Sequence, residues 1–184
     1  MVYLTSDTHF GHKNIIEYTN RPFQTVEEMD KTLINNINDT VGEDDELYIL
    51  GDFCMQGGYE KRSRYRNLIK CKNVHLILGN HDTRLVDTFK PSPFQSEQDY
   101  IELKFKNTKF CLSHYPFLSW NGRELGAIMC HGHIHSNSRS NEINQWQQIR
   151  RFDVGVDANN YTPVSLDYIF EFFNKPLEEI FDLE

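Results

Sequence analysis

Leu47-Tyr48-Ile49-Leu50-Gly51-Asp52 decides how this chain folds. Four apolar residues stopped by a glycine and an acid read as a short strand that ends in a turn. The same pattern occurs on either side of it. Upstream, Val2 to Thr5 reads as a short buried strand running into Ser6-Asp7-Thr8-His9-Phe10-Gly11-His12. Downstream, Val74 to Leu78 reads as a third strand, stopped by Gly79-Asn80-His81-Asp82. Helical spacing fills the gaps. Thr25 and Glu28 form a capping box ahead of Met29, Leu33, Ile37 and Val41, which recur every four residues up to position 41. A second helix is expected from about Gly58 to Lys70, basic in its middle.

Beyond that point the grammar changes. Tyr100 to Phe105 alternates with Ile101, Leu103 and Phe105 on one face, and Asn107 sits in a hairpin turn before Phe110-Cys111-Leu112-Ser113. Ala127 to Cys130 is a further strand, running into His131-Gly132-His133-Ile134-His135, and Phe152 to Val156 is another. Ser165 caps a final helix carrying Leu166, Ile169, Phe170 and Phe173. The polar stretch from Glu124 to Gln148 reads as loop around one strand. Strand–helix alternation followed by mostly strands makes a mixed α/β domain.

At 184 residues the chain suits one well-buried domain over 1–184, and no repeat, linker or low-complexity run divides it. The formal net charge of -8 argues against general polyanion binding, though not against a local basic patch. Cys54, Cys71, Cys111 and Cys130 lack CxxC spacing, so reduced core thiols are expected rather than a disulfide framework or a zinc ribbon. No basic start with an apolar run is present, and no apolar stretch nears the roughly 20 residues that span a bilayer. A soluble, cytoplasmic protein with no membrane partner is the expectation.

The polar residues fall where chemistry is placed in α/β folds. Asp7 and His9 follow the first strand, Asp52 the second, Asn80 and His81 the third, His114 a fourth, and His133 and His135 a fifth. Sites in open α/β sheets form outside the carboxyl ends of strands, so these groups converge on one rim. Of eight histidines only His75 lies away from these turns. If residues 131–135 are extended, His133 and His135 project to the same side. Imidazole is the commonest side-chain ligand for a transition metal, so two such rings suit one ion or a pair.

With these residues in view the chain resembles the calcineurin-like metallophosphoesterases. The family signature appears in order as Asp7-Thr8-His9, Gly51-Asp52, Gly79-Asn80-His81-Asp82, His114 and Gly132-His133-Ile134-His135. Phe10-Gly11-His12-Lys13-Asn14-Ile15-Ile16, Arg21-Pro22-Phe23 and Asp153-Val154-Gly155-Val156-Asp157 resemble a small bacterial and phage branch of it. The resemblance implies a four-layer α/β/β/α sandwich of two packed mixed sheets with two divalent ions at one rim. Asp7, His9 and His135 would hold one ion, Asn80, His114 and His133 the other, and Asp52 would bridge them. Mixed imidazole and oxygen donors suit Mn²⁺ first, with Fe, Zn²⁺, Ni²⁺ or Co²⁺ as alternatives. A deprotonated water shared by the ions would attack the phosphorus, with His81 as general acid toward the leaving oxygen.

Other residues carry open readings. Asp82 either orients His81 or caps the residues after it. His12 either faces substrate or solvates its loop. Arg21 is either a phosphate clamp or an arginine fixing the loop before Pro22. His131 is expected to be structural, Tyr115 and Trp120 to pack in the core. Lys61-Arg62-Ser63-Arg64-Tyr65-Arg66 and Arg150-Arg151 are the basic spots that a nucleic-acid partner would use, and the first is read as a solvated helix face. Gly51-Asp52 continues as Phe53-Cys54-Met55 rather than as the Asp-Arg-Gly of protein Ser/Thr phosphatases, so a protein substrate is not implied. A small phosphodiester or phosphomonoester is the leading substrate, with a metal-dependent nuclease as the alternative and a non-catalytic scaffold third.

Overall fold

The computed structural model describes residues 1–55, 58–82 and 90–175. The first sheet begins with β1 (Val2–Thr5), β2 (Glu46–Ile49), β3 (Asn73–Ile77) and β4 (Ser96–Gln98), all parallel. The second runs β5 (Tyr100–Phe105), β6 (Thr108–Ser113), β7 (Ile128–His131) and β8 (Arg151–Asp153) in that spatial order. β5 and β6 form an antiparallel hairpin, and β6, β7 and β8 are parallel. The last strand, β9 (Val164–Ser165), returns to the first sheet antiparallel to β1, giving the order β4-β3-β2-β1-β9.

Side-chain alternation builds the layers. Tyr3, Leu47, Ile49, Val74 and Leu76 face a helical layer that includes Met29, Leu33 and Ile37 of α2 (Val26–Thr40) and Tyr65 of α3 (Tyr59–Arg66). Their neighbours Leu4, Leu50 and Ile77 face Phe110, Leu112, Ile128, Cys130 and Phe152 of the second sheet. Removing a leucine from such a layer costs about 2–5 kcal/mol, so inter-sheet packing holds the strands firmly at their ends. The outer face of the second sheet is covered thinly by Trp120, Phe117 and Ile149 beside a 3₁₀ turn at Arg123–Leu125. This is the sandwich of two packed mixed sheets that the resemblance implies, with a thin fourth layer.

Parallel register matters most for the site. Thr5 pairs with Ile49, and Ile49 with Leu76, so β1, β2 and β3 stop at one level. Their turns therefore leave the sheet together.

Several elements depart from expectation. Thr25 Oγ1 accepts from Glu28 N at 3.1 Å as a cap should, but the Glu28 carboxylate reaches back to Gln24 N rather than Thr25 N. The polar stretch read as loop contains α4 (Arg139–Trp146). Its inner face bonds the free edge of β8: Asn141 Nδ2 donates to Asp153 O, Asp153 N donates to Asn141 Oδ1, and Asn144 Nδ2 donates to Arg151 O. A helix that protects a sheet edge with asparagines has no apolar stripe to find. The short α1 (Ile15–Tyr18), β4 and β9 were also invisible to periodicity. α5 (Leu166–Asn174) starts as expected, with Ser165 Oγ accepting from Tyr168 N at 3.1 Å. Among the described residues no helix is long and apolar enough to cross a membrane.

The basic run in α3 is not simply a solvated face. Arg62 is buried with Nη1 3.8 Å from Glu97 Oε1, and Arg66 donates to the carbonyls of Ile69, Cys71 and Lys72. Arg150 and Arg151 likewise donate to the carbonyls of Phe173 and Phe117. Much of this positive charge ties loops together.

Candidate metal centre

The turns after β1 and β2 run side by side: Asp7 N donates to Gly51 O at 3.0 Å and His9 N to Asp52 O at 2.9 Å. The backbone there is forced. Asp7, His9, Asp52, His133 and His135 all have positive φ, between 46° and 72°. Each such non-glycine residue costs on the order of 1–2 kcal/mol, and strain of this kind collects where side chains must be aimed at a function. It also corrects one expectation. The chain past His131 is not extended, so His133 and His135 diverge instead of projecting together.

That divergence populates two neighbouring groups. His135 Nε2 lies 3.9 Å from Asp7 Oδ1, and Asp7, His9 and His135 can each offer a ligand atom within 4.8 Å of the others. Asp7, Asp52 and His114 do the same. Asp52 sits between them, its Oδ2 3.5 Å from His9 Nε2 and 3.6 Å from His114 Nε2. Asn80 Oδ1 lies 3.0 Å from His114 Nε2, and His133 Nδ1 lies 3.2 Å from it. All seven expected ligands thus meet. Two glycines allow the approach, because a Cβ on Gly79 would overlap Asp52 Oδ1 and one on Gly132 would overlap Asp7 Oδ2.

The remaining polar atoms aim the ligands. His114 Nδ1 lies 2.8 Å from Leu50 O and His135 Nδ1 lies 2.7 Å from Asp157 Oδ2, so in each neutral ring Nε2 carries the free lone pair. Asp7 Oδ2 accepts from His133 N at 3.0 Å, and Asp52 Oδ1 accepts from His81 N at 2.9 Å. Asp7 Oδ1 and His9 Nε2 are buried with no hydrogen-bond partner. Burial pushes the Asp7 carboxyl up to about 7 against the pull of His135. Burial also drives His9 down to about 2, helped by the charges of His135 and Arg21, and lowers His114 despite Asp52. An orphaned buried carboxylate oxygen beside the imidazoles of His9 and His135 is a donor set that fits a divalent cation, and with no thiolate among them it suits Mn²⁺, Fe or Zn²⁺.

Around the centre lies an open slot of about 750 Å³ that includes His9, His12, Asp52, Asn80, His81, His133 and His135 in its lining. His81 and His12 are both half-exposed there. The His81 ring stands edge-on to His9 at 5.2 Å, and His12 Nδ1 is 3.2 Å from His9 Nδ1. Tyr115, expected in the core, is 44% exposed and packs edge-on against His114 and His133. Trp120 is core as expected, bonded through Nε1 to Ala127 O. His131 is fully buried and bonded through Nδ1 to Gly132 O, a structural place.

Two expected site residues act elsewhere. Asp82 does not orient His81. Its carboxylate accepts from Asp52 N at 2.6 Å, Gly79 N at 3.0 Å and Phe53 N at 3.2 Å, clamping the two turns that carry Asp52 and Asn80. The alternative of a cap for the residues after it falls on 83–89, outside the described residues. Arg21 is no phosphate clamp: its side chain is fully buried and forked onto Asp157. Asp157 itself went unassigned, although it stands in the quoted Asp153–Asp157 phrase. An acid two residues past a glycine is too common a signal to mark it.

The family model described as calcineurin-like phosphoesterase matches residues 1–178. Uncharacterized protein MJ1445 of Methanocaldococcus jannaschii is 36% identical over 174 residues, 95% of this chain and 92% of its own length. The Gene 66 protein of Mycobacterium phage L5 is 31% identical over 206 residues, covering 96% of each chain. The solved structure of AQ665 from Aquifex aeolicus superposes with a TM-score of 0.73 at 25% identity, over 93% of this chain and 98% of that one.

Proposed function

The chain belongs to the calcineurin-like phosphoesterases, and from that premise we propose that it is a dinuclear metal-dependent phosphoesterase acting on small phosphodiesters or phosphomonoesters. One ion would be held by Asp7, His9 and His135, the other by Asn80, His114 and His133, with Asp52 shared. The observation that carries this is the placing of Asp52 Oδ2 between imidazole nitrogens at 3.5 and 3.6 Å. Bound there, two divalent ions, Mn²⁺ foremost, would offset charge on the phosphoryl oxygens and acidify a water near neutral pH.

The protein's own groups supply the rest. His81 is anchored through its backbone to Asp52 and half-exposed in the slot. From there it gives a proton to the departing oxygen, a role worth about 10²–10⁴-fold. His12, beside it, meets the substrate's anionic end. The slot's wall of Ile15, Tyr18, Met55 and Ile134 takes the organic part of the ester. Among the described residues no lysine or arginine lines the slot, and a nucleic-acid backbone would need several cations to replace its counterions. With the net charge of -8, this favours a substrate with one reacting phosphate over a polyanion.

The test is metal-depleted protein reconstituted with Mn²⁺ and given a chromogenic diester and monoester side by side. Metal-dependent hydrolysis, faster on the diester because the slot is open, is the expected result. Activity on neither, with metal content confirmed, would overturn the reading, and faster degradation of DNA or RNA would replace it with a nuclease.

A further inference from the structure

Behind the rim, two residues outside the ligand set reach both the His135 ring and the turn that carries Asp7 and His9. Asp157 Oδ2 lies 2.7 Å from His135 Nδ1. Both oxygens of Asp157 are gripped by Arg21, through Nε at 2.8 Å and Nη2 at 2.9 Å. The same guanidinium reaches the other side of the cluster, where Nη2 donates to Asp7 O at 2.8 Å and Nη1 to Thr8 O at 3.3 Å. The turn that carries Asp7 and His9 and the carboxylate that holds His135 are therefore indexed to one buried side chain. In the other half of the centre, among the described residues, no carboxylate aims an imidazole: His114 is aimed by a backbone carbonyl, the His133 ring nitrogen faces His114, and Asp82 holds only backbone amides of the turns that carry Asp52 and Asn80.

We infer that Asp157, braced by Arg21, is the positioning residue for His135, and that this pair sets how tightly the Asp7–His9–His135 position holds its cation. The inference rests on the proposed two-ion reading and goes beyond it by making the two positions unequal in what supports them. A carboxylate accepting Nδ1–H fixes the ring's direction and leaves Nε2 to coordinate. A forked guanidinium fixes the carboxylate in turn, which a lysine cannot do. Because Arg21 is buried, its second duty to Asp7 O couples the brace to the ligands' own backbone.

The experiment is a Mn²⁺ titration of metal-stripped wild type, Asp157→Asn and Arg21→Lys by calorimetry, counting ions and their affinities. Wild type is expected to bind two ions. Asp157→Asn should keep one affinity unchanged and lose about 10–100-fold in the other, the usual cost of removing a ligand's outer partner. Arg21→Lys should weaken the same ion. Imidazole ¹⁵N spectra of the metal-free wild type at alkaline pH, assigned against His135→Asn, give a readout independent of any variant's folding: His135 should carry its proton on Nδ1. A proton on Nε2, or two affinities that stay unchanged or fall together in Asp157→Asn, would overturn the inference. Wild type that binds no ion would instead overturn the two-ion reading beneath it.

Discussion

The floor of the centre and its rim both rely on histidine, under opposite conditions. Asp7, His9, Asp52 and His114 form the floor, all buried in turns directly after strands. His12, Asn80, His81, His133 and His135 form the rim, exposed or half-exposed on chain leaving the sheets. On the floor, burial above all moves Asp7 up to about 7 and, helped by the charges of His135 and Arg21, His9 down to about 2, so ionised groups there are held at a cost until an opposite charge arrives. On the rim the same chemistry is cheap and reachable by a substrate. On the proposed reading the floor only holds cations, whereas the rim completes the ligand set through Asn80, His133 and His135 and meets phosphate through His12 and His81, so the conflict with the stability of the metal-free fold is expected on the floor.

That division can be broken by exchanging one residue from each side. The larger effect is expected on the rim. His81→Ala should lower kcat by about 10²–10⁴-fold with metal content at wild-type level, checked by elemental analysis of the same sample; a variant that loses its metal would move His81 to the floor. The smaller effect is Asp7→Asn, which should abolish loading of its ion yet stabilise the metal-free protein above pH 7. The sign follows from linkage. A carboxyl near 7 folded and 3.8 unfolded binds protons more readily in the fold, so stability is lost as pH rises between those values. The gain for asparagine is as much as about 4 kcal/mol, at 1.36 kcal/mol per unit. It should vanish below about pH 4, where the acid is protonated in both states. His9 contributes alike to both proteins. Melting curves across pH that coincide for the two would refute the conflict assigned to the floor.

How much of this could be read beforehand follows the same division. The strands with the ligands at their ends were legible, because apolar runs stopped by Gly-Asp, Gly-Asn-His or His-Gly-His announce both the strand and its polar terminus. Helix α2 was legible from its four-residue spacing. The supporting parts were not. Asp82, Asp157 and Arg21 work through backbone amides, a neighbour's ring nitrogen and a carbonyl; Asp82 joins Gly79, three residues before it, to Asp52 and Phe53, 30 and 29 residues away, and Arg21 lies 136 residues from Asp157. Spacing along the chain carries no trace of them. Helix α4 hid for a related reason, since its buried contacts are hydrogen bonds to β8 and its apolar Ile143 and Trp146 face outward.

The central claim is that turns from five strands meet to hold a pair of cations around one shared carboxylate. Anomalous diffraction from crystals soaked in Mn²⁺ tests it most directly. Two peaks about 3.5–4 Å apart, both within bonding distance of Asp52 and flanked by His9 and His135 on one side and His114 and His133 on the other, are the expected result. A single peak away from Asp52, or none among these side chains, would contradict it.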